Sequence, residues 1–525
     1  MEPVRILDLI LLLLAFAVAL ALLARHLRIP PAVAFVPGGM ILAVTPGVPA
    51  FELDPALVMT LFLPPLIQYG AYFTVWRDFR ANLRPILLLA VGAVAFTTFV
   101  VGLALKLLLP ELPWAACFTL GAIVSPPDAV AAGAVLERLR LPRRLLVVLE
   151  GESLVNDAAG LVLYRFAAAV AMGGVFDAGR AAASFVLVAA GGVLIGCAVG
   201  IALVWLLRRL HDTDLEITAS FLAAWGSYLA AESVAASGVL ATVACGLLLG
   251  WRQHEVMDSQ TRLEARTAWR FITFGLEALV FILIGLSLRG VLARLGLGEI
   301  ARLMPLAIAI TAVAIVGRFV WVFPATYLPR LLWPPLRRRD PSPPASYVVL
   351  LGWAGMRGVV SLAAALALPA LFPGRDAILL ITFVVIFGTV MLQGPTLGPL
   401  IRALRIARPV AEADEPDEIT ARAAMAAAEL RAIEASLDDP LTGALAADLV
   451  AEYRKRADSI GQSSIGAAAR AEREGRLALR LAAAKAARAE LLRLHRAGDI
   501  HDEILRRLEH DLDLQELRVR RQRGA

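Results

Sequence analysis

Between residues 4 and 401 the chain alternates long apolar stretches with short polar ones. The apolar stretches fall at 4–24, 29–46, 54–73, 84–109, 113–136, 144–172, 181–207, 215–232, 236–251, 268–288, 300–328, 345–370 and 376–401. A helix needs about 20 mostly apolar residues to cross a bilayer, so the pattern predicts about 13 membrane spans. After Ile401 the pattern changes. Leu and Ala recur at helical spacing among Glu and Arg, which predicts about three or four amphipathic helices in an aqueous domain. Breaks are expected near Asp438-Asp439-Pro440, Gly461–Gly466 and Gly498-Asp499, after a linker AEADEPDE at 411–418. The reading is therefore an all-α polytopic membrane protein: residues 1–402 form a transmembrane domain and 403–525 a cytosolic helical tail, regulatory or for dimerisation.

Composition agrees. Hydrophobic residues make up 59% and charged residues 18% of the chain, with a mean hydropathy of +0.72, too little charge to cover a soluble surface of this size. The net charge of +6 does not indicate nucleic acid, because the arginines cluster at the ends of apolar runs. RHLR (25–28), WRDFRANLR (76–84), ERLRLPRR (137–144), Arg208-Arg209, 251–270 and RLLWPPLRRR (330–339) fall in alternate loops, and only 289–302 interrupts the alternation. The positive-inside rule then puts the N-terminus outside and the C-terminus in the cytosol, as an odd number of spans requires. The first apolar run ends in basic residues without a small-residue cleavage site and reads as a retained helix. Cys117, Cys197 and Cys245 lie in apolar segments and read as packing residues.

Three segments carry improbable polar groups. In TLGAIVSPPDAVAAGAVL (119–136), Pro126 and Pro127 remove two backbone donors at mid-span, so the helix must break there. Asp128 follows, placed to cap a half-helix and meet its positive dipole end. Carbonyls freed by such a break, Pro127 among them, are ready cation ligands. In LLVVLEGESLVNDAAGLVLY (145–164), Ser153 and Asp157 are four apart on one helical face, with Glu152 and Asn156 on an adjacent face. A carboxylate at membrane depth costs several kcal/mol and marks an ion or proton pathway by default, which singles out Asp157. In GWAGMRGVVSLAAALALP (352–369), Gly352, Gly355 and Gly358 permit an unwound stretch around Arg357, whose cation suits the negative end of a half-helix. Two interrupted spans in separate halves of the chain point to an inverted-repeat transporter. Arg318, buried in AIVGRFVWV, needs a carboxylate, and Glu152 is the best candidate. Glu150 stays open between an ion-pair partner and a vestibule charge, Arg165 lacks an assigned partner, and Glu232 and Glu277 stand evenly between structure and pathway.

Together these residues resemble the monovalent cation/proton antiporter family, sodium/proton exchanger type, in its bacterial form. The resemblance rests on LPPLIQYGAYFTVWRDFR, the broken proline-Asp span, EGESLVNDAAG, SGVLATVACGLLLG, VFILIGLSL and GMRGVVSL, and covers most of residues 1–402. It implies 13 helices with two broken helices crossing at mid-membrane, and a homodimer in the inner cell membrane that serves pH homeostasis. It further implies that Asp157 carries cation or proton, that Asn156, Ser153, Asp128 and Pro127 complete or support the site, and that Glu152 and Arg318 form a structural ion pair. The Asn156-Asp157 form is associated with electroneutral exchange. Two departures bear on cation choice: Pro127-Asp128-Ala129 replaces the Thr-Asp-Pro of many members, and Gln68-Tyr69 stands where some members carry an acid.

The expected partners are monovalent cations, Na+ or else Li+ or K+, together with H+ and membrane lipid. No cofactor is expected, and the absence of Walker and GxGxxG motifs argues against primary ATP-driven transport. The runners-up are a K+/H+ antiporter of the same fold and a cation channel. No His lies in a predicted span and no GxGD motif is present, which disfavours an intramembrane protease and any His-based metal site. An organic-anion symporter would want a cationic site centre, whereas the strongest site here is acidic.

Overall fold

The computed structural model describes residues 3–27, 29–45, 55–128, 141–174, 178–406, 416–437, 443–462, 467–497 and 502–524. Residues 129–136 of the fifth predicted span, most of the 411–418 linker and most of the predicted breaks in the tail lie outside them. The described residues contain helices and no strand, and backbone contacts divide the chain into two units, Met1–Ala407 and Arg408–Ala525.

In the first unit the helices are α1 (Pro3–Leu27), α2 (Pro31–Val44), α3 (Pro55–Leu61), α4 (Leu63–Phe73), α5 (Trp76–Ala81), α6 (Leu83–Leu108), α7 (Trp114–Val124), α8 (Arg143–Ala171), α9 (Ala178–Leu210), α10 (Thr213–Glu232), α11 (Gly238–Val256), α12 (Ser259–Arg294), α13 (Leu297–Leu332), α14 (Pro334–Arg339), α15 (Ala345–Trp353), α16 (Val359–Leu366) and α17 (Arg375–Ala403). Among the described residues, six helices are long and apolar enough to cross a membrane by themselves: α6, α8, α12, α13, α17 and most of α9. α2 and α7 are shorter apolar helices.

Where the boundaries depart from the hydropathy pattern, local chemistry accounts for it. The apolar run 54–73 divides at Phe62 into α3 and α4, because Pro64 and Pro65 start a helix more readily than they continue one. The basic segment 251–270, expected as a loop, is mostly helix. α11 continues to Val256, and the Asp258 carboxylate accepts from the Thr261 N–H at 2.7 Å to cap α12. A π turn at Leu88–Ala93 interrupts α6, and the Leu88 carbonyl accepts from the Trp321 indole at 2.9 Å.

The elements that matter for the site pack closely. α6 lies against α7, α7 against α8, and α13 against α17. Elsewhere α2 meets α12 backbone to backbone. A side chain at Gly39 would collide with the Ile282 carbonyl, and one at Gly285 with the Val36 carbonyl. Small residues let membrane helices approach this closely when lipid offers no hydrophobic drive for association.

The second unit contains α18 (Pro416–Glu434), α19 (Gly443–Gln462), α20 (Ala467–Ala497) and α21 (Asp502–Gly524). α18 pairs with α19, and α20 pairs with α21. Arg488 of α20 bridges Glu509, Asp513 and Glu516 of α21 at 3.2, 2.5 and 3.1 Å.

Candidate functional site

Two interruptions meet. α7 stops at Val124 before Ser125-Pro126-Pro127, since neither proline can donate to the preceding turn. α15 stops at Trp353, and α16 begins after the Gly355–Gly358 stretch. The Asp128 N–H donates to the Met356 carbonyl at 2.6 Å, joining the two breaks. A helix end leaves carbonyls without intrahelical donors, and here guanidinium groups supply them. Arg357 Nε donates to the Val124 carbonyl at 2.8 Å, at the C-terminal end of α7. Arg318 Nε donates to the Leu351 carbonyl at 3.0 Å, near the C-terminal end of α15. Arg357 is fully buried and also donates to the Gly355 carbonyl and, at 3.3 Å, to the Ala314 carbonyl. Its own N–H donates to Thr389 Oγ1 at 3.1 Å. At the opposite pole, the Asp128 carboxylate lies against Gly358, the N-cap of α16, so closely that a Cβ there would overlap it. A negative group at that position meets the positive end of the half-helix.

α8 brings the second set of groups to this crossing. A Cβ on Gly160 would strike the Pro126 ring, so glycine lets α8 lie directly on the break. Asn156 is fully buried; its Nδ2 donates to the Pro127 carbonyl at 2.6 Å, while its Oδ1 has no partner among the described residues. Asp157 is half-buried, as are Ser153 and Asp128. One turn below, Glu152 is sealed in the interior. Its two oxygens accept from Arg318 Nη1 at 2.6 Å and Nη2 at 2.8 Å, with side-chain exposures of 2% and 3%. The arrangement offers a hard cation carboxylate, amide and carbonyl oxygens, and it separates that accessible acid from a paired, inaccessible one.

A profile described as "Sodium/hydrogen exchanger, transmembrane" matches residues 11–403. The chain belongs to the sodium/hydrogen exchanger family. An uncharacterised Na+/H+ exchanger of Mycobacterium tuberculosis is 34% identical, over 97% of this chain and 95% of its own length. A sodium, potassium, lithium and rubidium/H+ antiporter of Bacillus pumilus is 34% identical, over 74% of this chain and 61% of its own. The fold resembles the solved sodium proton antiporter MjNhaP1 of Methanocaldococcus jannaschii at pH 8. The TM-score is 0.61 at 18% identity, covering 77% of this chain and 99% of that one.

Within this exchanger the structure joins Asn156 of α8 to Pro127, Asp128 to Met356 at the second break, Arg357 to Val124 and Glu152 to Arg318 of α13, with Asp157 and Ser153 next to Asn156 and Glu152 on α8. The segment that Asp128 was expected to cap on its own chain lies outside the described residues. Thr389, and the Met356 and Val124 carbonyls, had not been singled out. A hydroxyl in an apolar span signals little, and a backbone carbonyl carries no residue-type signal. Arg165 finds its partner in Glu232, at 2.9 and 3.0 Å, and Glu232 also accepts from the Gly238 N–H at 3.4 Å. Glu150 is exposed on α8 and Glu277 half-buried on α12. Gln68 is buried against Cys245 and Gly246 of α11.

The Arg165–Glu232 pair is half-exposed, at 50% and 31% of its side-chain areas. Exposed pairs contribute about 0–1 kcal/mol. Arg165→Ala should therefore shift stability by no more than about 1 kcal/mol, readable as a nearly unchanged melting curve. A collapse of the fold would show that this pair is buried in the working protein.

Proposed function

We propose that this protein is a secondary active antiporter that exchanges Na+, or else Li+, for H+ by alternating access, one for one, with Asp157 carrying either the cation or the proton. The observation that carries the reading is the half-buried Asp157 beside the two crossed breaks. Asn156 Oδ1, without a partner among the described residues, and the Pro127 carbonyl supply oxygens at this crossing, and the reading takes Ser153 and Asp128 as the groups that complete the oxygen site. Cation and proton compete for one carboxylate, and the charge crosses only when one of them neutralises it. Desolvating a bare carboxylate costs several kcal/mol, which keeps the empty charged form from crossing.

The reading includes about 13 spans in inverted repeats, a homodimer in the cell membrane, an outward N-terminus and a cytosolic tail. It places the protein in pH homeostasis. A second reading, K+/H+ exchange at the same site, is favoured by the Bacillus relative, whose name includes potassium beside sodium, lithium and rubidium.

The test is dissipation of an imposed pH gradient in proteoliposomes on addition of each cation chloride in turn. Na+ and Li+ should collapse the gradient, and valinomycin-imposed potentials of either sign should leave the rate unchanged. A strong response to K+ alone would select the second reading. A potential-driven rate would overturn one-for-one exchange, and single-channel currents would replace the antiporter with a channel.

A further inference from the structure

Away from the crossing, arginines from three helices converge on one carboxylate. Asp340 accepts from Arg84 of α6 at 2.9 Å, from Arg144 of α8 at 2.5 Å and from Arg330 of α13 at 2.8 Å. Arg330 also donates to the Asp340 carbonyl at 3.1 Å and to the Thr326 carbonyl. One acid cannot neutralise three guanidinium groups, so positive charge is left in excess. A donor is also left over: Arg84 Nη1 is buried and has no hydrogen-bond partner among the described residues.

Beside the cluster is a small, partly open cavity of about 50 Å3. All three arginines line it, and no carboxylate does among the described residues. The remaining wall is largely apolar, with Leu88, Leu145 and Val148 among its residues. A knot serving only to hold Asp340 would require neither the surplus charge nor the cavity. All three arginines stand at helix ends that the arginine distribution assigns to the cytosolic face.

Guanidinium forks match the paired oxygens of a phosphate group, and basic pockets between spans at that face suit anionic lipid headgroups. We propose that this cavity binds the phosphate headgroup of an anionic membrane lipid, with an acyl chain laid against Leu88, Leu145 and Val148. The apolar wall favours a lipid over free phosphate, because a bare anion has no use for it. The occupant would touch α8, which carries Asp157, and α15, whose Tyr347 and Leu351 also line the cavity. It would therefore tie together the ends of elements that form the transport site.

The test is native mass spectrometry of the purified full-length protein titrated with phosphatidylglycerol, phosphatidylcholine or inorganic phosphate. Wild type should retain phosphatidylglycerol in preference to phosphatidylcholine, and excess inorganic phosphate should not displace it. Arg144→Gln should bind phosphatidylglycerol about tenfold more weakly, the loss of one charge-assisted contact. Asp340→Asn removes the competing acid while keeping all three cations, so it should bind at least as tightly as wild type. Equal retention of the two lipids by wild type overturns the proposal, and this arm needs no variant. Unchanged affinity in Arg144→Gln, or loss of the lipid from a folded Asp340→Asn, overturns it as well. Displacement by inorganic phosphate alone overturns the lipid assignment.

Discussion

Asp157→Asn should reduce cation-dependent proton movement in proteoliposomes to the level of protein-free vesicles while leaving the protein folded. The amide keeps the shape of the side chain but exchanges no proton and carries no charge for a cation to neutralise. Its neighbour Asn156 is held by the Pro127 carbonyl, and Asp128 lies against the N-cap of α16, so neither replaces the lost group. Stability should hold or rise, because a neutral side chain at membrane depth avoids the cost of holding a charge there. The two readouts therefore move apart: transport is lost while the melting temperature is kept or raised. Exchange at the wild-type rate would remove Asp157 from the transport cycle. Loss of both transport and fold would make it a structural residue.

For Glu152 and Arg318 the expectation is the reverse: stability falls first. The pair is almost wholly buried and doubly hydrogen-bonded, and Arg318 also holds the end of α15 through the Leu351 carbonyl. Removing one partner leaves an uncompensated charge in the interior, which costs roughly 3–5 kcal/mol. Arg357 makes this worse for Glu152→Gln, since both guanidinium groups lie against Gly355 and Glu152 binds one of them. Glu152→Gln and Arg318→Met should each lower the yield of monodisperse protein and the melting temperature. The exchanged pair, Glu152→Arg with Arg318→Glu, should recover part of both. Recovery stops short of wild type because a carboxylate at 318 cannot donate to the Leu351 carbonyl. Single variants with wild-type yield and melting temperature, and no gain in the exchanged pair, would show that the contact contributes little.

The parts of the site that were legible in the sequence are those governed by local rules. Pro126 and Pro127 forbid a continuous helix wherever they fall, and glycines at 352, 355 and 358 announce a second interruption. Asp157 and Arg318 stand out because a charge in an apolar run is costly in any fold. The crossing was implied by the family resemblance alone, and its contacts were not legible in the residues themselves. Asp128 meets Met356, and Arg357 meets Val124, through backbone groups that every residue carries, across more than half of the membrane unit. The Arg165–Glu232 pair left a trace, two unmatched charges in separate apolar runs, but their register needed the packing of three-dimensional structure. Asp340 left less. In a polar, arginine-rich loop it reads as an ordinary surface acid, and only the structure shows three helices ending on it. The helix through 251–270 was obscured by its many charges, which suit a solvated helix face as well as a loop.

The most direct test of competition at one carboxylate is the proton released when the purified protein binds its cation. NaCl, with choline chloride as the control, would be added to the detergent-solubilised protein in weak buffer near its working pH, and the change in pH followed. One proton should appear for each Na+ bound, the apparent affinity for Na+ should fall as the starting pH falls, and Asp157→Asn should show neither effect. Saturable Na+ binding without proton release, or release that persists in Asp157→Asn, would contradict the account.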